Sequence, residues 1–267
     1  MTGHPTGWAA SPEPQQHYLV EPRHLAGGGD LRHVTEFLRA CGWKDRAPRR
    51  RTGLIILESP DRTIRIGYDP HTEPGGWTVS ARPTGQEAWQ ATFSHQTPVE
   101  VIAGLTDTLT LPRSAHAPNV WAPLEEAGWE RGRSRHHTMV SPDRGAFVTF
   151  HTASPGGPSH WRAGARNEHG RAWDALFTTA TPLYLVQAVT HALADPRPVM
   201  RPRGHLPHTR QIRTTSVSVL PAELAAWQQA RITEARARTW ALSTAADPRT
   251  SPGPGPGLRS VAGSRRR

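Results

Sequence analysis

The strongest constraint in this chain is that it repeats. Gly42-Trp43 returns as Gly128-Trp129, and Ser59-Pro60-Asp61-Arg62 returns letter for letter as Ser141-Pro142-Asp143-Arg144. The stretch RTIRIGY at 62–68 lies over RGAFVTF at 144–150, an offset of 82 residues, with Tyr68 on Phe150. Beyond it the offset is 84: Trp77 falls on Trp161, Ala81-Arg82 on Ala165-Arg166, Ala88-Trp89 on Ala172-Trp173, Phe93 on Phe177, Thr97-Pro98 on Thr181-Pro182 and Leu109 on Leu193. The offset shifts only between these blocks, where loops are expected. Any fold proposed for the chain must therefore hold one unit twice.

Each copy spells the same elements. DLRHVTEFLRAC puts Leu31, Val34, Phe37, Leu38 and Cys41 on one helical face, with Asp30 as N-cap and glycines 27–29 as a flexible approach. GLIILE is a short apolar run, and TIRIGY, WTVSA and AWQATF alternate with period two, as half-buried strands do. TPVEVIAGLTDTL then opens a helix, with Thr97 capping, Pro98 in the first turn and Glu100 at the capping-box spacing. RHHTMV, AFVTF, WRAGA, AWDALF and TPLYLVQAVTHAL repeat the plan.

The expected fold class is α+β: two tandem α-β-β-β-β-α units, each a four-stranded antiparallel sheet with helices on one face. About 80 residues per unit is small for independent stability, so the copies are expected to pack on each other as a pseudo-dimer. SPDR reads as the β-turn between the first two strands, with Pro presetting the turn and Asp bonding its backbone.

The motif order HLAGGGDLRHVTEFLRACGW, SPD, WTVSARPTGQEAWQATF, TPVEVIAGLTDTL resembles the actinobacterial family catalogued as domain of unknown function 317. That family is common in streptomycetes and usually carries the domain in tandem. The resemblance covers roughly residues 18–195. It implies an architecture and a lineage, and no activity. The second copy lacks the AGGGD approach of the first.

Composition sets the domain map. Residues 1–17 are expected to be a disordered N-terminus, 18–112 the first repeat, 113–195 the second, 196–220 a Pro/Arg-rich linker, 221–243 a helix and 244–267 a disordered basic tail. The formal net charge is +10, divided as −1 over 1–112, +1 over 113–195 and +10 over 196–267, so the excess falls in a flexible C-terminal arm. No apolar run is long enough for a membrane span and no signal peptide opens the chain, which makes a cytoplasmic protein the expectation. One cysteine, Cys41, excludes an intrachain disulfide and a Cys-based metal site within one chain.

No catalytic, cofactor or metal constellation emerges. The 15 histidines have no metal spacing, and the adjacent His136 and His137 on a strand should face opposite ways. GGGD lacks the Gly-Lys-Ser/Thr end of a phosphate loop. Trp77, Trp89, Trp161 and Trp173 belong to the alternating apolar set, which buries them against the helices; the competing reading is an aromatic platform that stacks bases.

The arm offers Arg201, Arg203, Arg210, Arg213, Arg231, Arg236, Arg238, Arg265, Arg266 and Arg267 as contacts for nucleic acid or an acidic partner. Within it, TTSVSVLPAEL resembles the strand-to-helix start of ribbon–helix–helix DNA-binding proteins, without a second helix. Three functions stay open: a non-enzymatic binding or scaffold protein with an unknown protein partner, a nucleic-acid accessory protein acting through the arm, and an enzyme with a small-molecule cleft between the repeats.

Overall fold

The computed structural model describes residues 13–48, 52–72, 75–83, 87–111, 116–133, 136–154 and 157–245, with side chains described as far as 237. The first copy runs α1 (Arg32–Ala40), β2 (Lys44–Asp45), β3 (Ile55–Glu58), β4 (Ile64–Asp69), β5 (Gly76–Ala81), β6 (Trp89–Ser94) and α2 (Val99–Thr108). The second runs α3 (Ala122–Glu126), β7 (Glu130–Arg131), β8 (His137–Val140), β9 (Ala146–His151), β10 (His160–Asn167), β11 (Gly170–Thr178) and α4 (Leu183–Ala194). Before and after them lie β1 (Gln15–Glu21), β12 (Val199–Pro202), β13 (Arg213–Val219) and α5 (Pro221–Ala245).

Both copies build their local structure from the same residues. Gly42 and Gly128 take left-handed φ of 85° and 75° and end α1 and α3. The next amide reaches back across the helix end, Trp43 N to Leu38 O at 3.0 Å and Trp129 N to Leu124 O at 2.9 Å, and turns its indole into the core.

The SPDR turns also match. Ser59 Oγ donates to Asp61 Oδ1 at 2.6 Å and accepts from Ile64 N, while Ser141 Oγ donates to Asp143 Oδ1 at 2.5 Å and accepts from Ala146 N. Arg62 and Arg144 then take left-handed φ of 62° and 59°. One β-turn, closed by Arg62 N to Ser59 O and by Arg144 N to Ser141 O and ending on a left-handed residue, has thus been copied with its strands.

The units differ from expectation in two ways. Each has five strands, because a two-residue strand pairs beyond the first apolar run; and the two sheets are one. Strand order is β2-β3-β4-β5-β6-β11-β10-β9-β8-β7, antiparallel throughout. At the seam Ala91 lies opposite Phe177, Thr92 opposite Leu176 and Phe93 opposite Ala175. Since Ala91 and Phe93 are the counterparts of Ala175 and Phe177, the pairing is self-reciprocal, as in a two-fold dimer.

Side chains obey the same pseudo-symmetry. Gln90 N donates to Thr178 Oγ1 at 3.0 Å and Asp174 N to Ser94 Oγ at 3.1 Å. Phe93 and Phe177 meet edge to face with centroids 5.5 Å apart. Above them α2 crosses α4 at Gly104, where an added Cβ would lie 2.6 Å from Ala192 Cβ.

α1 to α4 cover one face, and one apolar cluster beneath them joins both copies. Trp77, Trp89, Trp161 and Trp173 belong to it at 2–8% exposure, so they are core and not a platform. The Tyr68–Trp77 and Phe150–Trp161 contacts repeat at 5.1 and 4.8 Å between centroids.

The segment 196–220 holds two strands and is no linker, and residues 15–17, expected to be disordered, begin β1, while residues 1–12 lie outside the described residues. β12, β1 and β13 form a second, three-stranded antiparallel sheet that closes the chain on itself. β13 pairs with β1 of the same chain, Gln15 with Val219 through Glu21 with Arg213, which is not the start of a free ribbon. The reason lies in Arg201. It is 2% exposed, donates Nε to Ala26 O and Nη2 to Gly27 O, and grips both oxygens of Glu100 at 2.7 and 2.8 Å.

This also dissolves the expected capping box. The Glu100 carboxylate is held by Arg201, and Thr97 Oγ1 has no hydrogen-bond partner among the described residues. Glycines 27–29 are packed: a Cβ at Gly28 would lie 2.7 Å from His95 O and one at Gly29 2.5 Å from Val99 Cγ1. α5 docks on α1 through Arg231, whose guanidinium lies 4.5 Å from the Phe37 ring centroid and 2.8 Å from Asp107 Oδ2.

Candidate functional site

The candidate arginines of the arm are dispersed by this fold. Arg201 and Arg231 are structural ion-pair partners, and Arg213 Nε reaches Glu21 at 3.1 Å. Arg203, Arg210 and Arg236 are exposed. Arg238 sits in α5 with its side chain outside the described residues, and Arg265, Arg266 and Arg267 lie outside them altogether. No helix among the described residues is long and apolar enough to cross a membrane, and no group of three or more His, Cys, Asp or Glu side chains there is arranged to hold a metal.

Two concave sites lie where the copies meet the outer segments. One, of about 1070 Å³, is lined by the glycine loop, His95 and Gln96 of the first copy, the β10–β11 turn of the second, and residues 205–208. Its arginines are already engaged: Arg32 by Asp30 at 2.8 Å, Arg39 by Glu36 and Asp45, and Arg171 by Asp174.

The other, of about 970 Å³, holds the second SPDR turn against Arg23 and His24. There His24 Nε2 lies 3.0 Å from Asp143 Oδ2. Burial raises the Asp143 acid, but the adjacent His24 ring and the hydrogen bonds from Ser141 Oγ and Gly145 N outweigh it and hold the carboxyl well below the usual range. Only the first of these clefts is lined by both copies; the second is lined by the second copy and the outer segments.

The sheet face away from the helices is the larger feature. Strand alternation puts Thr78, Ser80, Gln90, Thr92, Ser94 and Thr178 there, with Leu176 at 45% exposure opposite Thr92 on the pseudo-two-fold axis. Around this polar centre the described residues of the face include seven basic side chains, Lys44, Arg46, Arg65, Arg82, Arg162, Arg166 and Arg171. Four acidic ones, Glu58, Asp69, Glu130 and Asp174, leave a surplus of three positive charges.

Guanidiniums outnumber carboxylates in each cluster. Arg46, Arg65 and Arg82 converge on Glu58 at 3.2, 2.9 and 3.8 Å. The hydrogen bond from Arg65 is the first cause of a Glu58 carboxyl held below its ordinary range. Arg162 and Arg171 share Asp174, and Arg162 and Arg166 flank the Phe147 ring at 5.8 and 5.6 Å.

Arg82 and Arg166 are counterparts in the repeat, and both are exposed on this face. The surplus is invisible in segment totals because carboxylates such as Glu36, Asp45, Glu100 and Asp107 lie on the helix side. Alternation could have found it, had charge been summed by face and not by segment.

One corner of the face carries three imidazoles. His136 lies 4.3 Å from His151, and His151 stacks 4.5 Å from His160, centroid to centroid. Burial first, then the charges of His160, His136 and Arg162, lower the His151 pKa. His137 points the other way and stacks on Trp121 at 4.3 Å, so the adjacent histidines do face opposite sides.

Comparison with known proteins agrees with the duplication. The family model SPDY, domain of unknown function (DUF317), matches twice, at residues 58–115 and 140–199. Each match begins at the strand before an SPDR turn and runs through the last helix of the copy; the first helix of each lies outside it. No curated protein and no solved structure matches the chain.

Proposed function

We propose that this chain is a non-enzymatic cytoplasmic binding protein in which two copies of one unit act as a single platform, and that the open sheet face is its working surface. The observation that carries the reading is the seam. Pairing β6 with β11 converts two small half-exposed sheets into one ten-stranded face whose polar centre lies on the pseudo-two-fold axis. A face of alternating Thr, Ser and Gln among arginines suits a partner that presents many acceptors.

Two further facts support binding over catalysis. Glu58 and Asp174, two of the four carboxylates of the face, are engaged by arginine, and Cys41 is 5% exposed inside the core.

A diazirine amino acid placed at Thr92 in the producing cell tests the reading. It should yield a covalent adduct with a macromolecule, while the same group at Glu126 on α3 should yield none. Equal labelling at both positions, or none at Thr92, overturns it.

A further inference from the structure

We infer that the partner of the open face is duplex DNA, bound mainly through its phosphates; this rests on that face being the working surface. Charge complementarity is the first argument. The face carries a surplus of basic groups, and its symmetric pair, Arg82 and Arg166, is exposed on either side of the axis. Arg166 has no ion-pair partner among the described residues. By strand spacing and rise the pair stands roughly 30 Å apart, close to one turn of a duplex.

Symmetry is the second. The backbone of any duplex has local two-fold axes at right angles to its length, irrespective of sequence. A pseudo-two-fold face can place one arginine of the pair on each strand. Ten strands at their usual spacing extend about 43 Å, enough to follow roughly 12 base pairs.

The third argument separates duplex from single strand. Single-strand binders stack successive bases on exposed aromatics. Here the four tryptophans are buried on the helix side, and the Phe147 ring is flanked by Arg162 and Arg166. What the centre offers is hydroxyl and amide hydrogen bonding from Thr92, Ser94, Gln90 and Thr178, suited to phosphate and sugar oxygens. B-form DNA is favoured over duplex RNA because its wide major groove can admit a ridge such as exposed Leu176 on the axis, which the narrow major groove of an RNA duplex cannot.

The test uses the full chain and a mixed-sequence DNA duplex of about 20 base pairs, with binding followed by fluorescence anisotropy from about 50 to 200 mM salt. The wild-type chain should bind with an affinity that falls steeply with salt. Arg82→Gln with Arg166→Gln should reduce the slope of log affinity against log salt by about 2, one unit per lost phosphate contact. Thr92→Asp, an axial charge in a partly exposed position, should weaken binding roughly tenfold with unchanged thermal unfolding.

No binding at low salt overturns the inference. So does an unchanged slope in the double variant, or a slope that falls instead with Arg203→Gln and Arg210→Gln. Tighter binding of single-stranded DNA or of duplex RNA also overturns it. A protein cross-linked at Thr92 would overturn it while leaving the binding-platform reading in place.

Discussion

Replacing Arg201 by Met should unfold this protein far more easily than an arginine in a supposed linker would suggest. Met keeps much of the apolar stem and removes the guanidinium. Glu100, 20% exposed, is then left as a carboxylate without its counter-ion, and Ala26 O and Gly27 O lose their donors.

Breaking a buried pair from one side costs about 3–5 kcal/mol. For a chain of this size each kcal/mol lowers Tm by about 2–4 °C, so a fall of roughly 6–20 °C is expected. A double-mutant cycle with Glu100→Gln separates the pair from its surroundings: the combined cost should fall short of the sum by about 1–3 kcal/mol.

The pH dependence sharpens the test. Burial raises the Glu100 acid, but the Arg201 hydrogen bonds lower it further, so its net pKa is depressed. A depressed acid stabilises above its unfolded pKa, and that contribution is lost as pH falls through the folded value. Without Arg201 burial is opposed only by the weaker effects of His33 and the Glu100 backbone amide, so the folded pKa rises and acid relieves the strain. The gap between wild type and variant should therefore narrow from pH 7 toward pH 4. Denaturant unfolding monitored by circular dichroism measures it. A Tm within about 2 °C of wild type, full additivity in the cycle, or a gap that widens in acid would refute the reasoning.

Other outcomes follow from the same geometry. Gly104→Ala, which would stabilise most helices by about 1 kcal/mol, should lower Tm here, because the new Cβ meets Ala192 Cβ at 2.6 Å; a higher Tm would refute the close crossing of α2 and α4. Arg62→Gly and Arg144→Gly should each stabilise by up to about 1 kcal/mol in urea unfolding, since both arginines sit at positive φ.

His33 is half-buried, and desolvation with the Arg231 charge lowers its pKa to about 4. The unfolded chain therefore takes up the proton first, and stability should fall between about pH 6.5 and 4 by up to about 3 kcal/mol, a slope His33→Gln flattens. A chain ending at residue 195 should unfold at lower temperature than the full chain, because β12 and β13 are missing from the second sheet.

Local periodicity made much of this fold legible. The Gly-Trp pairs, the SPDR turns and the alternating Trp77, Val79, Trp89, Ala91 and Phe93 each declare a structure within a few residues. What the sequence hid depends on partners far apart along the chain. Nothing in AWQATF or AWDALF says that these strands pair with each other and not with solvent, because an edge strand and a seam strand share one alternation.

β13 reads as polar, since only Val219 at its end is buried, so its pairing with β1 leaves little periodic trace. Arginine at 201 reads as solvated until a carboxylate 101 residues away is brought to it. The basic face stayed hidden for a related reason: near-neutral segments conceal it when their acids lie on the opposite side.

The claim that the two copies form one sheet is tested most directly by native-state hydrogen exchange at the seam. The account predicts that hydrogen-bonded amides within 91–93 and 175–177 exchange only through global unfolding, with protection equal to that of β5. Opening of those amides at a free energy several kcal/mol below the global value, while β5 and β10 stay protected, would show two separate sheets and contradict it.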